Sequence, residues 1–236
     1  VEARARIWAH FCPPRLSEFF QRYCEDRGVR FRLDDTVAEI RGEDQVEGVE
    51  TAAGRELACG LVCVGVGIRP NVELAVEAGM EVDDGIVVDE HLESSHPGIY
   101  AGGDVARFRD PIFEKHRRVE HWGHAEYCGM LAGTNMAGDA QAYDMVTYVW
   151  SDLFDLHLEF AGDETEYDRL VVRGDLEEAA FAGLYLKDDR LRAYLAVNAD
   201  KKEFMKLQKL IRRGTSLEGR TELLRDPEES LDRLID

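Results

Sequence analysis

The stretch Ile99-Tyr100-Ala101-Gly102-Gly103-Asp104-Val105-Ala106 constrains this chain more than any other. It reads as a short buried strand, a glycine turn, one carboxylate and then small residues. A strand that ends in Gly-Gly-Asp presents backbone N–H groups and an acidic side chain at its carboxyl end, where ligands bind in open α/β sheets. Gly102 and Gly103 leave no Cβ between the backbone and whatever sits there. The plainer reading of the same triplet is a tight turn with Asp104 as a helix N-cap. The rest of the chain has to decide between the two.

The surrounding segments alternate helix and strand signals. Val1 and Glu2 read as the tail of a strand. Pro13-Pro14 breaks the chain, and Leu16, Phe19, Phe20, Tyr23 and Cys24 then fall on one helical face over 15–26, with Gly28 at the terminating position. Residues 29–33 read as a strand, and 36–41 with 46–51 as a hairpin around Gly42-Glu43-Asp44-Gln45. Leu61-Val62-Cys63-Val64 is all apolar, the pattern of a strand covered on both faces. It runs into Gly65-Val66-Gly67-Ile68-Arg69-Pro70, which begins like a dinucleotide fingerprint but has Pro70 where the third glycine belongs. We read it as a loop whose glycines, Gly65 and Gly67, permit close backbone approach.

A short helix over 71–79 and a strand over 85–88 precede the glycine turn. An irregular basic loop follows it. The next helix runs to about Met136 with Gly138 as terminator. Its apolar side carries Ala125, Cys128, Ala132 and Met136, and its small residues, including Gly129 and Gly133, predict tight packing on a neighbour. The N-terminus of that helix is a natural anion site. From Tyr143 onward the pattern is short strands at 146–150, 156–160, 170–173, 179–186 and 191–197, with Asp188-Asp189 as a hairpin turn. A helix over 201–213, a polar tail and a short amphipathic end follow, which makes a separate α+β unit.

Composition narrows the function classes. The 236 residues carry a formal net charge of −19, which argues against a nucleic-acid partner and against anionic membranes. No apolar run approaches the roughly 20 residues that span a bilayer. The five cysteines fit neither a zinc pattern nor a Cys-x-x-Cys redox pair, and we read them as reduced thiols in a cytoplasmic protein. His121 and His124 have no matching carboxylate and cysteine set for a metal. The basic groups Arg107, Arg109, Lys115, Arg117 and Arg118, and Lys201, Lys202, Lys206, Lys209, Arg212 and Arg213, read as solvated faces or as docking charges for an acidic protein.

Several of these stretches, in this order, resemble the FAD-dependent, NAD(P)H-linked ferredoxin reductases, which include oxygenase-coupled reductases and apoptosis-inducing-factor-like flavoproteins. The residues are Cys63-Val64-Gly65-Val66-Gly67-Ile68-Arg69-Pro70-Asn71, then 99–106, then Glu120-His121-Trp122 with Ala125, Leu131-Ala132 and Asn135-Met136, then Trp150-Ser151-Asp152 with Leu156, then Ala196-Val197-Asn198. The resemblance implies an α/β fold: part of a two-dinucleotide-binding-domain, Rossmann-like flavoprotein of glutathione-reductase type, with an α+β C-terminal reductase domain. It implies the end of an NAD(P)-binding domain over 1–71, the end of an FAD-binding domain over 72–143, and a C-terminal reductase or interface domain over 144–236.

It also implies roles. Asp104 would accept a hydrogen bond from a ribityl hydroxyl of FAD, with Gly103 and Val105 bringing backbone against the cofactor. Glu120, His121 and Trp122 would lie at the flavin ring, where the helix dipole stabilises negative charge on the reduced ring. Trp150 would pack near the isoalloxazine. Glu2 would bind the adenosine ribose of NAD, and Gly65 and Gly67 would belong to the loop closing the NAD domain. No catalytic side chain is assigned.

The family carries two Gly-x-Gly-x-x-Gly fingerprints and this chain carries neither. We therefore expect the C-terminal part of a reductase, one that alone binds FAD weakly or not at all. The function expected is transfer of electrons from NAD(P)H through FAD to a ferredoxin-type acceptor. The alternatives are a cofactor-free dimerisation or regulatory module, and an apoptosis-inducing-factor-like redox-sensing protein. A homodimer is compatible with each.

Overall fold

Pro13 and Pro14 set the first helix, α1 (Pro14–Glu25), by placing proline at its start, where a missing N–H goes unused. Its inner face buries Leu16, Ser17, Phe20 and Cys24. Trp8 packs on Phe20 with ring centroids 4.8 Å apart, and the Ser17 hydroxyl donates to the Ile7 carbonyl at 2.6 Å. The computed structural model describes residues 1–235, and they divide into two units, Val1–Ile68 and the residues from Arg69 onward.

In the first unit, α1 is followed by an antiparallel meander, β1 (Val37–Arg41), β2 (Gly48–Thr51) and β3 (Glu56–Ala58), paired in the order β1-β2-β3. The expected hairpin is present. The strands expected at Val1-Glu2 and at 29–33 are not. Those two segments instead bond irregularly, Glu2 N–H to the Arg32 carbonyl at 2.7 Å and Asp35 N–H to the Glu2 carbonyl at 3.2 Å. The larger correction is at 61–64. The run has no regular structure, and Leu61 and Val64 are 79% and 65% exposed. Apolar composition states a demand for burial but does not supply the neighbouring strand that would meet it.

The second unit begins with α2 (Glu73–Glu77) and a small mixed sheet, β4 (Ile86–Val88), β5 (Ala106–Asp110) and β6 (Lys115–Arg117). β4 and β5 are parallel with Ile86 opposite Ala106, and β5 and β6 form an antiparallel hairpin. The strand at the Gly-Gly-Asp stretch therefore begins at Ala106, after the glycines, and the expected irregular basic loop is a strand pair. Before the glycines only an isolated bridge forms, between Glu93 and Tyr100. The helix α3 (Trp122–Met136) packs over this sheet on Cys128, Leu131 and Ala132. Gly129 and Gly133 have open space beside them and Met136 is exposed, so the helix's glycines do not make the close contact expected of them.

A five-stranded antiparallel sheet follows: β7 (Tyr148–Leu153), β8 (Leu156–Gly162), β9 (Arg169–Asp175), β10 (Ala180–Lys187) and β11 (Arg190–Val197), in the order β7-β8-β11-β10-β9. Asp188 and Asp189 both take positive φ, the geometry of a two-residue hairpin turn. The helix α4 (Lys201–Arg213) covers one face with Phe204, Leu207, Leu210 and Ile211, worth roughly 8 kcal/mol of apolar burial. The Asp200 side chain caps its start and Gly214, at φ 55°, ends it. The expected polar tail contains α5 (Thr221–Arg225), and α6 (Asp232–Ile235) closes the core.

Candidate functional site

The glycine turn is shaped by two separate constraints. Gly102 is extended, and a Cβ there would stand 3.1 Å from the Cys128 Cβ and 3.3 Å from the Cys128 backbone. Gly103 has φ +75°, a conformation that side chains rarely adopt, and opens a 3-10 turn over Gly103–Val105. The small residues of α3 that matter are thus Ala125 and Cys128, which lie against this turn.

Asp104 is exposed at the turn's apex. Its carbonyl accepts from Arg118 Nη1 at 3.1 Å. The same guanidinium pairs with Glu120 Oε1 at 2.8 Å and with Asp84 at 3.3 Å. Burial disfavours the Arg118 charge, but Glu120 and Asp84 outweigh it and raise its pKa. Sequence reading placed Arg118 only in a basic cluster. Its position two residues before Glu120, at the end of a strand, was the available signal for a structural clamp.

His121 occupies the N-cap position of α3, whose first turn has no side-chain cap. The uncapped N–H groups and the helix dipole make this end favourable for negative charge. His121 Nδ1 is buried without a hydrogen-bond partner. Burial, with Arg117, lowers the His121 pKa against the opposing charges of Asp104 and Glu120, so its ring is neutral at pH 7. Trp122 is 85% exposed. Asp104, Glu120, His121 and Trp122 are thus brought to one rim, joined by Arg118. Trp150 lies on the edge strand β7, 62% exposed and stacked on His157, whose Nδ1 meets Asp152 at 2.9 Å.

The residues predicted for a nicotinamide nucleotide lie in the first unit. Glu2 Oε1 accepts from the Arg4 N–H at 2.9 Å, a local turn contact. Gly65 and Gly67 are exposed in coil, with nothing near either Cα that a Cβ would meet. The described geometry ties Glu2 to 4 and 32–35 rather than to these glycines.

Four of the five cations in the basic stretch meet carboxylates. Arg107 meets Asp83 at 3.1 Å, Lys115 meets Asp163 at 2.5 Å, and Arg117 lies 3.7 Å from the fully buried Asp110. Three cysteines, Cys12, Cys24 and Cys128, are buried, and all five are unpaired. Among the described residues no cluster of three metal-binding side chains occurs, and no helix is long and apolar enough to cross a membrane.

The turn, Asp104 and the start of α3 present what a large anionic cofactor needs: backbone without side chains, an exposed carboxylate for hydroxyl groups and a positive helix end. The profile of the pyridine nucleotide-disulphide oxidoreductase family matches residues 1–129, and that of the reductase C-terminal family matches 148–235. The chain is 32% identical over 201 residues to putidaredoxin reductase CamA of Pseudomonas putida, covering 84% of this chain and 48% of that protein. The crystal structure of the ferredoxin reductase for the CYP199A2 system from Rhodopseudomonas palustris superposes with a TM-score of 0.90 at 32% identity, over 100% of this chain and 58% of that one. The reductase in a covalent putidaredoxin reductase–putidaredoxin complex superposes with a TM-score of 0.92 at 30% identity, over 99% and 56%. The chain spans about half the length of the curated relatives it matches.

Proposed function

This chain belongs to the pyridine nucleotide-disulphide oxidoreductase family, and from that premise we propose that it forms part of an FAD-dependent enzyme passing electrons from NAD(P)H to a ferredoxin-type acceptor. Its α/β architecture with an α+β C-terminal part is that of the family's solved structures. The observation that carries the reading is the Arg118 clamp. One guanidinium spans the Asp104 carbonyl and the Glu120 carboxylate, so the glycine turn and the start of α3 form one rim.

In this reading the Asp104 carboxylate accepts from a ribityl hydroxyl, and the Gly103 and Val105 backbone lies against the cofactor. The uncapped end of α3 lowers the energy of negative charge on the ring edge nearest it. His121, neutral and with Nδ1 unpartnered, supplies a hydrogen-bonding nitrogen there without adding charge. Glu120 is held by Arg118, and Trp122 and Trp150 supply flat apolar surface that excludes water. Glu2 takes the adenosine ribose of the nicotinamide nucleotide, and Gly65 and Gly67 belong to the loop that closes the NAD domain. FAD, when bound, supplies the conversion of a hydride into single electrons.

The division at 1–71, 72–143 and 144–236 belongs to the same reading. It is supported by separate cores, one around Phe108 and Cys128 and one around Tyr194 and Leu207. The covalent complex of a similar reductase with putidaredoxin supports a ferredoxin-type partner. The finer parts are a cytoplasmic location and a homodimer without nucleic acid or membrane. The charge of −19 supports the exclusion of nucleic acid and anionic membranes, and the unpaired cysteines support the location.

Flavin titration of the protein translated from its full reading frame, wild type and Asp104→Asn, tests the proposal. We expect saturable binding that weakens about tenfold on loss of the charged acceptor. A wild-type protein without flavin absorption after reconstitution, or identical binding by the variant, would overturn the role given to this turn.

A further inference from the structure

We propose that Arg117 is a positioning residue: it ties β6 to the C-terminal sheet and so holds its neighbour Arg118 across the rim, which makes the geometry of the rim depend on the packing of that sheet. The consequence for FAD rests on the function proposed above.

The β5–β6 hairpin reaches from the glycine turn into the C-terminal core. β5 begins at Ala106, directly after the turn over Gly103–Val105. At its far end Asp110 is buried, and its Oδ1 accepts from the Ile112 N–H at 2.9 Å, which fixes the bend. Phe113, at the tip, is 6% exposed and belongs to the same apolar cluster as Ala161, Leu186 and Leu191 of the C-terminal sheet. The guanidiniums of Arg117 and Arg192 lie 5.0 and 4.8 Å from its ring centroid, within cation–π range.

Two cations fasten the returning strand to that sheet. Lys115 Nζ meets Asp163 at 2.5 Å and donates to the Thr165 hydroxyl at 2.6 Å. Arg117 Nη2 donates to the Thr147 hydroxyl and to the Gly162 carbonyl, the latter at 3.2 Å, so both of its hydrogens are used. The buried Thr147 hydroxyl in turn donates to the same Gly162 carbonyl at 3.3 Å. Arg117 Nη1 stands 3.7 Å from Asp110 Oδ2, an ion pair across the hairpin.

The β5–β6 ladder ends where Arg117 faces Phe108. Arg118 is the next residue, beyond that ladder. Consecutive side chains of an extended segment point to opposite sides. Arg117 accordingly reaches the C-terminal sheet while Arg118 turns to Asp104, Glu120 and Asp84. The stem of Arg118 has little slack, since a Cβ at Gly85 would stand 3.0 Å from its Cδ. One peptide unit, about 3.8 Å between Cα atoms, separates the two anchors. A shift of Thr147 or Gly162 therefore reaches the rim through two adjacent residues. The guanidinium fork makes this possible, because a lysine ammonium is a single point that cannot hold Thr147 and Gly162 while facing Asp110.

Exchange of the Arg118 Nε–H with water, read by NMR on the 236-residue chain without cofactor, tests this. That N–H donates to Asp84 from a side chain that is 12% exposed, so its exchange reports the clamp. The Leu195 amide in β11 is the reference for global opening. We expect Arg117→Lys, which keeps the charge and loses the fork, to speed Arg118 Nε–H exchange about fivefold. A role in stability alone speeds Leu195 and leaves Arg118 Nε–H at the wild-type rate, and that result overturns the proposal.

Thr147 variants approach the same joint from the sheet. Thr147→Val keeps the shape and removes the hydroxyl, whereas Thr147→Ser keeps the hydroxyl and loses a methyl. We expect Arg118 Nε–H exchange about threefold faster in Thr147→Val and near the wild-type rate in Thr147→Ser. Packing alone gives the opposite order, because only the serine leaves a void. Equal rates for the two variants, or a faster Ser variant, overturn the coupling, and this pair carries the test if Arg117→Lys does not fold.

In the protein from the full reading frame, the FAD dissociation constant should rise about threefold for Thr147→Val and little for Thr147→Ser. Unchanged affinity in Thr147→Val overturns the positioning role toward the cofactor. A wild-type protein that binds no flavin overturns the function proposed above, while the exchange order still decides the coupling.

Discussion

His124 is enclosed by Phe108, Tyr143 and Cys128, and burial, helped by the nearby positive charge of Arg117, lowers its pKa from 6.5 to about 4. The sign follows from linkage. Below about pH 6.5 the unfolded chain takes up a proton that the folded chain refuses until about pH 4. Stability is therefore whole above pH 6.5 and is lost as pH falls through that window, by an amount on the order of 3 kcal/mol. His121, also lowered by burial, adds in the same direction. Urea midpoints across this range should fall steeply for wild type and more gently for His124→Gln; equal slopes would contradict the assignment. The two glycines of the turn separate in the same assay. Gly102→Ala meets the Cys128 backbone at 3.3 Å and cannot be relieved by rotating a side chain, so it should cost about 1–3 kcal/mol. Gly103→Ala is opposed by its φ of +75° instead, at about 1–2 kcal/mol.

Among the elements, β9 carries a side chain that organises the end of the chain. Arg173 is 6% exposed and pairs with Glu203 of α4. Its remaining N–H groups donate to the carbonyls of Leu224, Asp226, Pro227 and Glu229. One fork thus fastens the segment bearing α5 to the sheet. Lysine cannot reproduce it, because its ammonium is a single point without the planar fork. Arg173→Lys should cost about 2–4 kcal/mol and open 221–229 to protease before the sheet melts; an unchanged cleavage pattern would refute the staple.

What was legible in the sequence follows the same logic. α4 was readable because Asp200 and Gly214 mark its ends, and the β10–β11 hairpin because Asp188-Asp189 suits a positive-φ turn. β5 was missed although Ala106, Phe108 and Asp110 alternate with Arg107 and Arg109, because the arginines disguised a period of two. The run at 61–64 was misread because its burial depends on neighbours that composition does not name. At the site, residue type singled out Asp104 and the start of α3, which Arg118 joins at one rim. Arg118 itself was not singled out, because its role comes from long-range contacts with the Asp104 carbonyl and with Asp84.

At the scale of the whole molecule the question is electrostatic. The chain carries −19, and of the two cation groups that sequence offered for docking an acidic partner, four cations of the first and two of the second meet carboxylates inside the fold. Arg107, Lys115, Arg117 and Arg118 lie on Asp83, Asp163, Asp110 and Asp84 with Glu120. On α4, Lys206 meets Asp232, Arg212 meets Asp144, and Arg213 donates to the Ile235 carbonyl. A paired cation contributes little field beyond the Debye length of about 8 Å at physiological salt. Steering of an acidic ferredoxin by these residues is accordingly weak, and the net charges of two acidic partners repel. The expected signature, in the protein from the full reading frame, is a ferredoxin reduction rate that stays level or rises as ionic strength goes from about 0.01 to about 0.15 M. Arg109→Gln, at an exposed position of the same stretch, should leave that profile in place. A rate that falls steeply with salt, and falls less in Arg109→Gln, would show that an unmatched basic face docks the partner after all.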